Sequence, residues 1–281
     1  MKRLRQQGWA MAGLALAVLA GIAFMLSAGA PPRFALMNGA ALLVALGLAL
    51  LPPVPRRYLP LLVLLGVSIM AATVVVGPSV EGVRRWLQVG PLTVHAAMLV
   101  VPGLAVMIPV LPSRTAAVTI VAISLLSVVQ PDLATYLAIL PVTVLMLVVR
   151  GDRWMWGAFI AQALGAILAV QRVDTLAPTP FVEHVIEQAL GMNMAAGAAL
   201  FVAALLAVTS PMKGRDNGAV RWSAAALSVC GTAYLAASFL RPYEMFIGHY
   251  PTPFVGFGAS MIVGWGIALW LLSSLGDKER A

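Results

Sequence analysis

The chain has 281 residues, 61% hydrophobic and 10% charged, with a mean hydropathy of +0.96 and a formal net charge of +8. Apolar runs that recur almost end to end exclude a soluble globular domain and describe a polytopic, all-α membrane protein. The basic residues follow topology and gather on no single solvated face, which excludes nucleic acid as a partner, and the single cysteine, Cys230, excludes an intrachain disulfide and a cysteine metal site.

A spanning helix needs ~20 mostly apolar residues. Candidate spans fall near 9–28, 34–52, 58–77, 93–111, 115–129, 132–149, 154–170, 185–209, 222–240 and 253–275, ten in all, the fifth and sixth being the shortest. The first, flanked by Lys2, Arg3 and Arg5, is longer than a secretory apolar core and nine more follow it, so it is read as a retained helix. Connections are short, with no low-complexity tract and no internal repeat, and 1–281 is read as one membrane domain.

Lys and Arg alternate between connections as the positive-inside rule requires. With a cytoplasmic N-terminus the inside set is Lys2, Arg3, Arg5, Arg56, Arg57, Arg114, Arg150, Arg153, Lys213, Arg215, Arg221, Lys278 and Arg280. Only Arg33, Arg84, Arg85, Arg172 and Arg241 fall outside, and this bias predicts that both termini are cytoplasmic. Glu81, Asp132, Asp174, Glu183, Glu187 and Glu244, six of the ten acids, fall on or near the outer side, which marks it as the working face.

Four outer segments carry the candidate chemistry. In the first, Arg84, Arg85 and Trp86 precede Gln88-Val89-Gly90-Pro91; two guanidinium groups beside an indole suit bidentate capture of a phosphate, or an interfacial turn whose arginines snorkel to lipid. In the second, Asp132 is the only formally charged residue between Thr115 and Val149, and a lone carboxylate there is costly unless functional or satisfied. Pro131 suits a first helical turn and Asp132 a helix cap, a role compatible with function.

The third segment, Gln171 to His184, holds Arg172, Asp174, Glu183 and His184, with Glu187 and Gln188 a turn further on. Glu183 and Glu187 are four apart, so on one helix they would share a face and raise one pKa, as a general base requires; a water-facing helix start has the same pattern. The fourth, Arg241 to Ser260, runs through Pro251-Thr252-Pro253-Phe254-Val255-Gly256-Phe257-Gly258, a density of Pro and Gly that fits backbone close to a ligand or tight helix packing. His95, His184 and His249 are far apart in sequence, so no metal or other cofactor is indicated, and a divalent cation would need them clustered in space.

In order and spacing these strings resemble the SEDS family (shape, elongation, division and sporulation proteins of the FtsW, RodA and SpoVE group), multi-spanning bacterial glycosyltransferases that polymerise lipid II. Arg85-Trp86-Leu87-Gln88-Val89-Gly90-Pro91 resembles the family's RWIxLGP, Gln130-Pro131-Asp132-Leu133-Ala134-Thr135 its QPDLGT, and Pro253-Phe254-Val255-Gly256-Phe257-Gly258-Ala259-Ser260 its PFVSYGGS. Phe181 to Gly191 is similar to DFIFAVIGEELG, but the register that aligns Leu190-Gly191 sets Pro180 where the family carries its proposed catalytic Asp, and His95-Ala96-Ala97-Met98 stands in place of QPSE.

The resemblance implies a bacterial inner-membrane protein of peptidoglycan biogenesis that binds a polyprenyl-pyrophosphate-linked glycan precursor. Asp174, Glu183 and Glu187 are the candidate substitutes for the missing acid, and Arg84, Arg85, Trp86, Asp132, Arg241, Phe254 and Ser260 the candidate substrate-binding residues. A penicillin-binding protein or another component of the division or elongation machinery is the implied partner. A non-catalytic scaffold of that machinery and a lipid-linked precursor flippase are the alternatives.

Overall fold

The apolar runs fold into helices in the computed structural model, which describes residues 2–172, 174, 176–215, 218–240 and 249–276, with backbone only at 2–6. The helices are α1 (Lys2–Ser27), α2 (Pro32–Ala49), α3 (Leu59–Val76), α4 (Ala96–Met107), α5 (Ser113–Val129), α6 (Leu133–Arg150), α7 (Arg153–Gln171), α8 (Val185–Met192), α9 (Met194–Thr209), α10 (Gly218–Ala237) and α11 (Ala259–Leu275). Six helical segments are long and apolar enough to cross a membrane: Gln7–Ser27, Pro32–Ala49, Arg56–Val76, Leu133–Arg150, Arg153–Gln171 and Met194–Met212. Shorter apolar helices cover Ala96–Val110, Ser113–Val129 and Ala259–Leu275, and the chain is a multi-pass membrane protein.

Three expected spans are corrected. The run 185–209 is two helices, because Asn193 leaves the helical conformation at φ −156° and its Oδ1 caps α9 by accepting from Ala196 N at 3.1 Å. At eight residues α8 is about 12 Å long, too short to cross. The run 93–111 opens in a strand, since Trp86–Val89 (β1) and Leu92–His95 (β2) form an antiparallel hairpin pairing Trp86 with His95. Gly90, at φ +57°, closes its two-residue turn with Pro91, so the fold is mainly helical and not strictly all-α. The run 253–275 becomes helical only at Ala259.

Helix α11 packs between α4 and α2 and owes its place there to glycine. A β-carbon on Gly264 would overlap Met98 O, and one on Gly266 would lie 2.5 Å from Ala45 Cα. Small residues let helix backbones approach where lipid supplies no hydrophobic drive. Trp265, between the two glycines, is fully buried, and a β-carbon on Gly231 of α10 would lie 2.5 Å from its ring. Gly264→Ala is therefore expected to cost about 1–3 kcal/mol through forced backbone separation, read as a lowered unfolding temperature in detergent, whereas Gly47→Ala, which meets nothing within 4 Å, should leave it unchanged.

Candidate functional site

One end of the bundle gathers the hairpin, the N-terminus of α6, the segment after α7 and the loop before α11. Arg85, just ahead of β1, is 3% exposed; its guanidinium forms an ion pair with the Asp174 carboxylate and donates to Pro131 O at 2.9 Å. Asp174 Oδ1 also accepts from Leu176 N at 3.1 Å. Arg85 Nε, by contrast, is buried with no hydrogen-bond partner.

Asp132, 1% exposed, caps α6 as its sequence context predicts: Oδ1 accepts from Thr135 N at 3.1 Å and Oδ2 from Thr135 Oγ1 at 2.6 Å. Pro131 falls just outside the helix. Thr135 Oγ1 lies 2.8 Å from Tyr234 Oη on α10, and His95 Nε2 lies 3.8 Å from Asp132 Oδ2. His95 Nδ1 accepts from Met98 N at 3.3 Å, which leaves the proton on the Nε2 that faces Asp132. Burial pushes the His95 imidazole down to about 4 against the pull of Asp132, so it is neutral near pH 7.

The glycine-rich loop is fastened beside this cluster. Asn38 of α2 donates to Gly256 O at 2.9 Å and accepts from Gly258 N at 3.2 Å, and Ser260 Oγ accepts from His95 N at 3.0 Å. Phe254, expected to line a substrate, is 1% exposed and packs on Trp265 with ring centroids 5.1 Å apart. Arg241, also expected at the substrate, lies outside the described residues, as does Glu244.

The expected guanidinium pair does not form. Arg84 is exposed and donates to Val74 O at 3.2 Å, while Arg85 is turned inward beneath Trp86, its Cζ 5.5 Å from that ring. The expected shared helix face of Glu183 and Glu187 is likewise absent. His184 at φ +55° separates Glu183 from α8, and Glu183 Oε2 turns back to accept from Thr179 N at 2.7 Å.

Desolvation pushes the half-buried Glu183 carboxyl up to about 7, opposed by the Thr179 bond and by Arg85 and reinforced by Asp174, so its raised pKa owes nothing to Glu187. Glu187 instead sets Oε1 3.5 Å from His184 Nδ1, and His184 Nε2 lies 2.9 Å from His249 Nδ1. Two of the three histidines therefore meet, but among the described residues no three His, Cys, Asp or Glu side chains converge to hold a metal ion.

Sequence reasoning gave no role in this cluster to His95, Thr135, Tyr234 or Asn38. Only His95 had a local signal, three residues before the Met98 amide that it caps. The corner at Gln130 is tied to α3 through Nε2, which donates to Met70 O at 2.8 Å and Thr73 Oγ1 at 2.6 Å.

No family model matches the chain. Over 72 residues it is 38% identical to a probable peptidoglycan glycosyltransferase FtsW of Pseudoalteromonas atlantica, a stretch covering 24% of this chain and 15% of that protein. Its fold is that of the rod shape determining protein RodA of Thermus thermophilus: a point mutant of RodA superimposes with a TM-score of 0.68 at 20% identity over 97% of this chain and 98% of RodA. The RodA structure without that substitution gives 0.65 at 20% identity, over 97% of each chain. A chain of a peptidoglycan synthase complex that coordinates polymerization and crosslinking gives 0.58 at 19% identity, over 96% of this chain and 98% of that one.

Two measurements test the cluster. Arg85→Ala strands the Asp174 carboxylate and should cost about 3–5 kcal/mol in unfolding experiments, while Arg85→Met with Asp174→Leu should recover most of that loss. Glu183 titrates near 7 folded against 4.5 as an unperturbed carboxyl, so its neutral form favours the fold. That stability is fully present below about 4.5 and is lost as pH rises through about 7. A thermal-unfolding series from acid to neutral pH should fall across this window, and Glu183→Gln should flatten it.

Proposed function

We infer that this is a SEDS-type protein of bacterial cell-wall biogenesis, with ten spans, the eighth of them Met194–Met212, and both termini cytoplasmic. Its outer face, at the Asp174 end of the bundle in the cytoplasmic membrane, would bind a polyprenyl-pyrophosphate-linked glycan such as lipid II and polymerise it. The RodA fold, the stretch shared with FtsW and the bias of Lys and Arg across the connections support this reading.

The observation that carries it is Glu183, a half-buried carboxylate at the outer end with its pKa raised to about 7 beside a buried ion pair. In the transfer, an acceptor sugar hydroxyl attacks the anomeric carbon of the donor, its proton passes to the Glu183 carboxylate, and the anomeric C–O bond to pyrophosphate breaks. Exposed Arg84 is a cation available to the departing pyrophosphate. Arg85 is already engaged by Asp174 and acts by positioning.

Asp174 is disfavoured as the base for the same reason, and Glu187 because it serves His184. A scaffold that has lost catalysis is the second reading, favoured by Pro180 in the position of the family's proposed catalytic acid. The resemblance and the fold shared with a peptidoglycan synthase complex support a penicillin-binding protein as partner.

Polymerisation of labelled lipid II by the purified chain, alone and with penicillin-binding partners, separates the two. An enzyme should show rates that rise as pH passes about 7, because the base must be deprotonated, and Glu183→Gln should lose about 100-fold or more while Glu187→Gln retains activity. Saturable lipid II binding without polymer at any pH would establish the scaffold.

A further inference from the structure

We propose that Arg215, with Lys213 and Trp9, forms a binding site for the phosphate of an anionic phospholipid at the end of the bundle opposite Asp174. The site is remote from Glu183 and its occupancy is independent of any chemistry there.

Arg215 follows the helical turn Ser210–Met212 that ends α9 and is 8% exposed. Gly214, at φ +74°, reverses the chain between two cations, leaving Lys213 outside and Arg215 inside. Lys213 Nζ sits 3.5 Å from the centroid of Trp9, which is 45% exposed as an interfacial indole should be.

An arginine that merely snorkels keeps its head in water, as the exposed Arg56 and Arg57 of this end do. An arginine that braces the fold is satisfied by the protein, as Arg150 is by Pro109 O at 2.9 Å, Leu111 O at 2.7 Å and Ser113 Oγ at 3.3 Å. Arg215 does neither: its Nε is buried without a hydrogen-bond partner, and desolvation alone pushes its guanidinium down to about 10. A cation so placed needs an anion.

Among the described residues of this end the one carboxylate is Asp152, and it is occupied in capping α7 through Trp154 N at 2.9 Å and Met155 N at 3.1 Å. The membrane supplies a counter-charge that the described residues of this end do not. A lipid phosphate accepts two guanidinium hydrogen bonds at once, and the Lys213–Trp9 pair marks the depth at which headgroups lie.

The full chain, reconstituted in phosphatidylcholine nanodiscs with or without phosphatidylglycerol, tests this by unfolding temperature and by the lipid retained in native mass spectrometry. Phosphatidylglycerol should raise the wild-type unfolding temperature. Arg215→Gln should abolish the rise and weaken retention by about tenfold or more, Lys213→Gln should remove part of it, and Arg215→Lys should keep part. Asp216→Asn, at a neighbour outside the described residues, should leave the lipid effect intact or strengthen it.

Three outcomes overturn the proposal: an unchanged lipid effect in Arg215→Gln, its loss in Asp216→Asn, or an equal rise from inorganic phosphate in phosphatidylcholine discs. If Arg215→Gln does not fold, Lys213→Gln and Trp9→Ala decide, and undiminished phosphatidylglycerol retention in both rejects the site.

Discussion

The ion pair between Arg85 and Asp174 is the constraint on which one end of the bundle depends. Both side chains are almost fully buried, at 3% and 1% exposure, where neither charge is tolerable without the other. The pair joins segments 89 residues apart in sequence, and the second hydrogen bond of the Arg85 guanidinium, to Pro131 O, brings in the residue next to the α6 cap. One guanidinium thereby holds the hairpin, the start of α6 and the segment after α7 in a single arrangement, with Asp132, His95 and Tyr234 beneath it.

Because that pair is internally compensated, it does not dictate the charge of its neighbours. Glu183 senses Arg85 and Asp174 with opposite sign, so burial is left as the dominant influence on its carboxyl. Backbone pairing holds the carboxylate in that half-dry position: Thr252 N donates to Val182 O at 2.9 Å, Phe257 N to Phe181 O at 2.7 Å, and Val185 N to Thr252 Oγ1 at 3.2 Å. The loop on the far side of these bonds is itself tied to α2 by Asn38. The base proposed at Glu183 would be useful only if its position did not relax on ionising, and this chain of bonds provides that rigidity.

What could be read from residues alone follows the range of each signal. Apolar length marks a membrane helix wherever it occurs, so helices lie in all ten predicted stretches, and the local chemistry of Pro131-Asp132 announced the α6 cap. The errors lie where a short-range competitor acts inside an apolar run. Asn193 breaks 185–209 by capping, and two four-residue strands are too short for an alternating pattern to outweigh their hydrophobicity. Arg85 with Asp174 left no trace in sequence, since nothing local to either residue specifies a partner so distant. Adjacency misled twice: neighbouring arginines point apart, and two glutamates four residues apart do not share a helix because His184 turns left-handed between them.

The two ends of the bundle treat a buried arginine in opposite ways, and the difference follows from their surroundings. At the Asp174 end the protein provides the counter-charge from its own chain, so Arg85 is fixed whatever lipid or substrate is present. At the other end Arg215 is buried to a similar depth with its Nε unpartnered, in a region whose described charges are otherwise mostly basic. A protein gains nothing by leaving such a group uncompensated in water, because the desolvation cost persists in every folded molecule. In a bilayer whose headgroups are anionic the same group is satisfied from outside, so folding at that end becomes linked to lipid composition while the architecture around Glu183 stays self-sufficient.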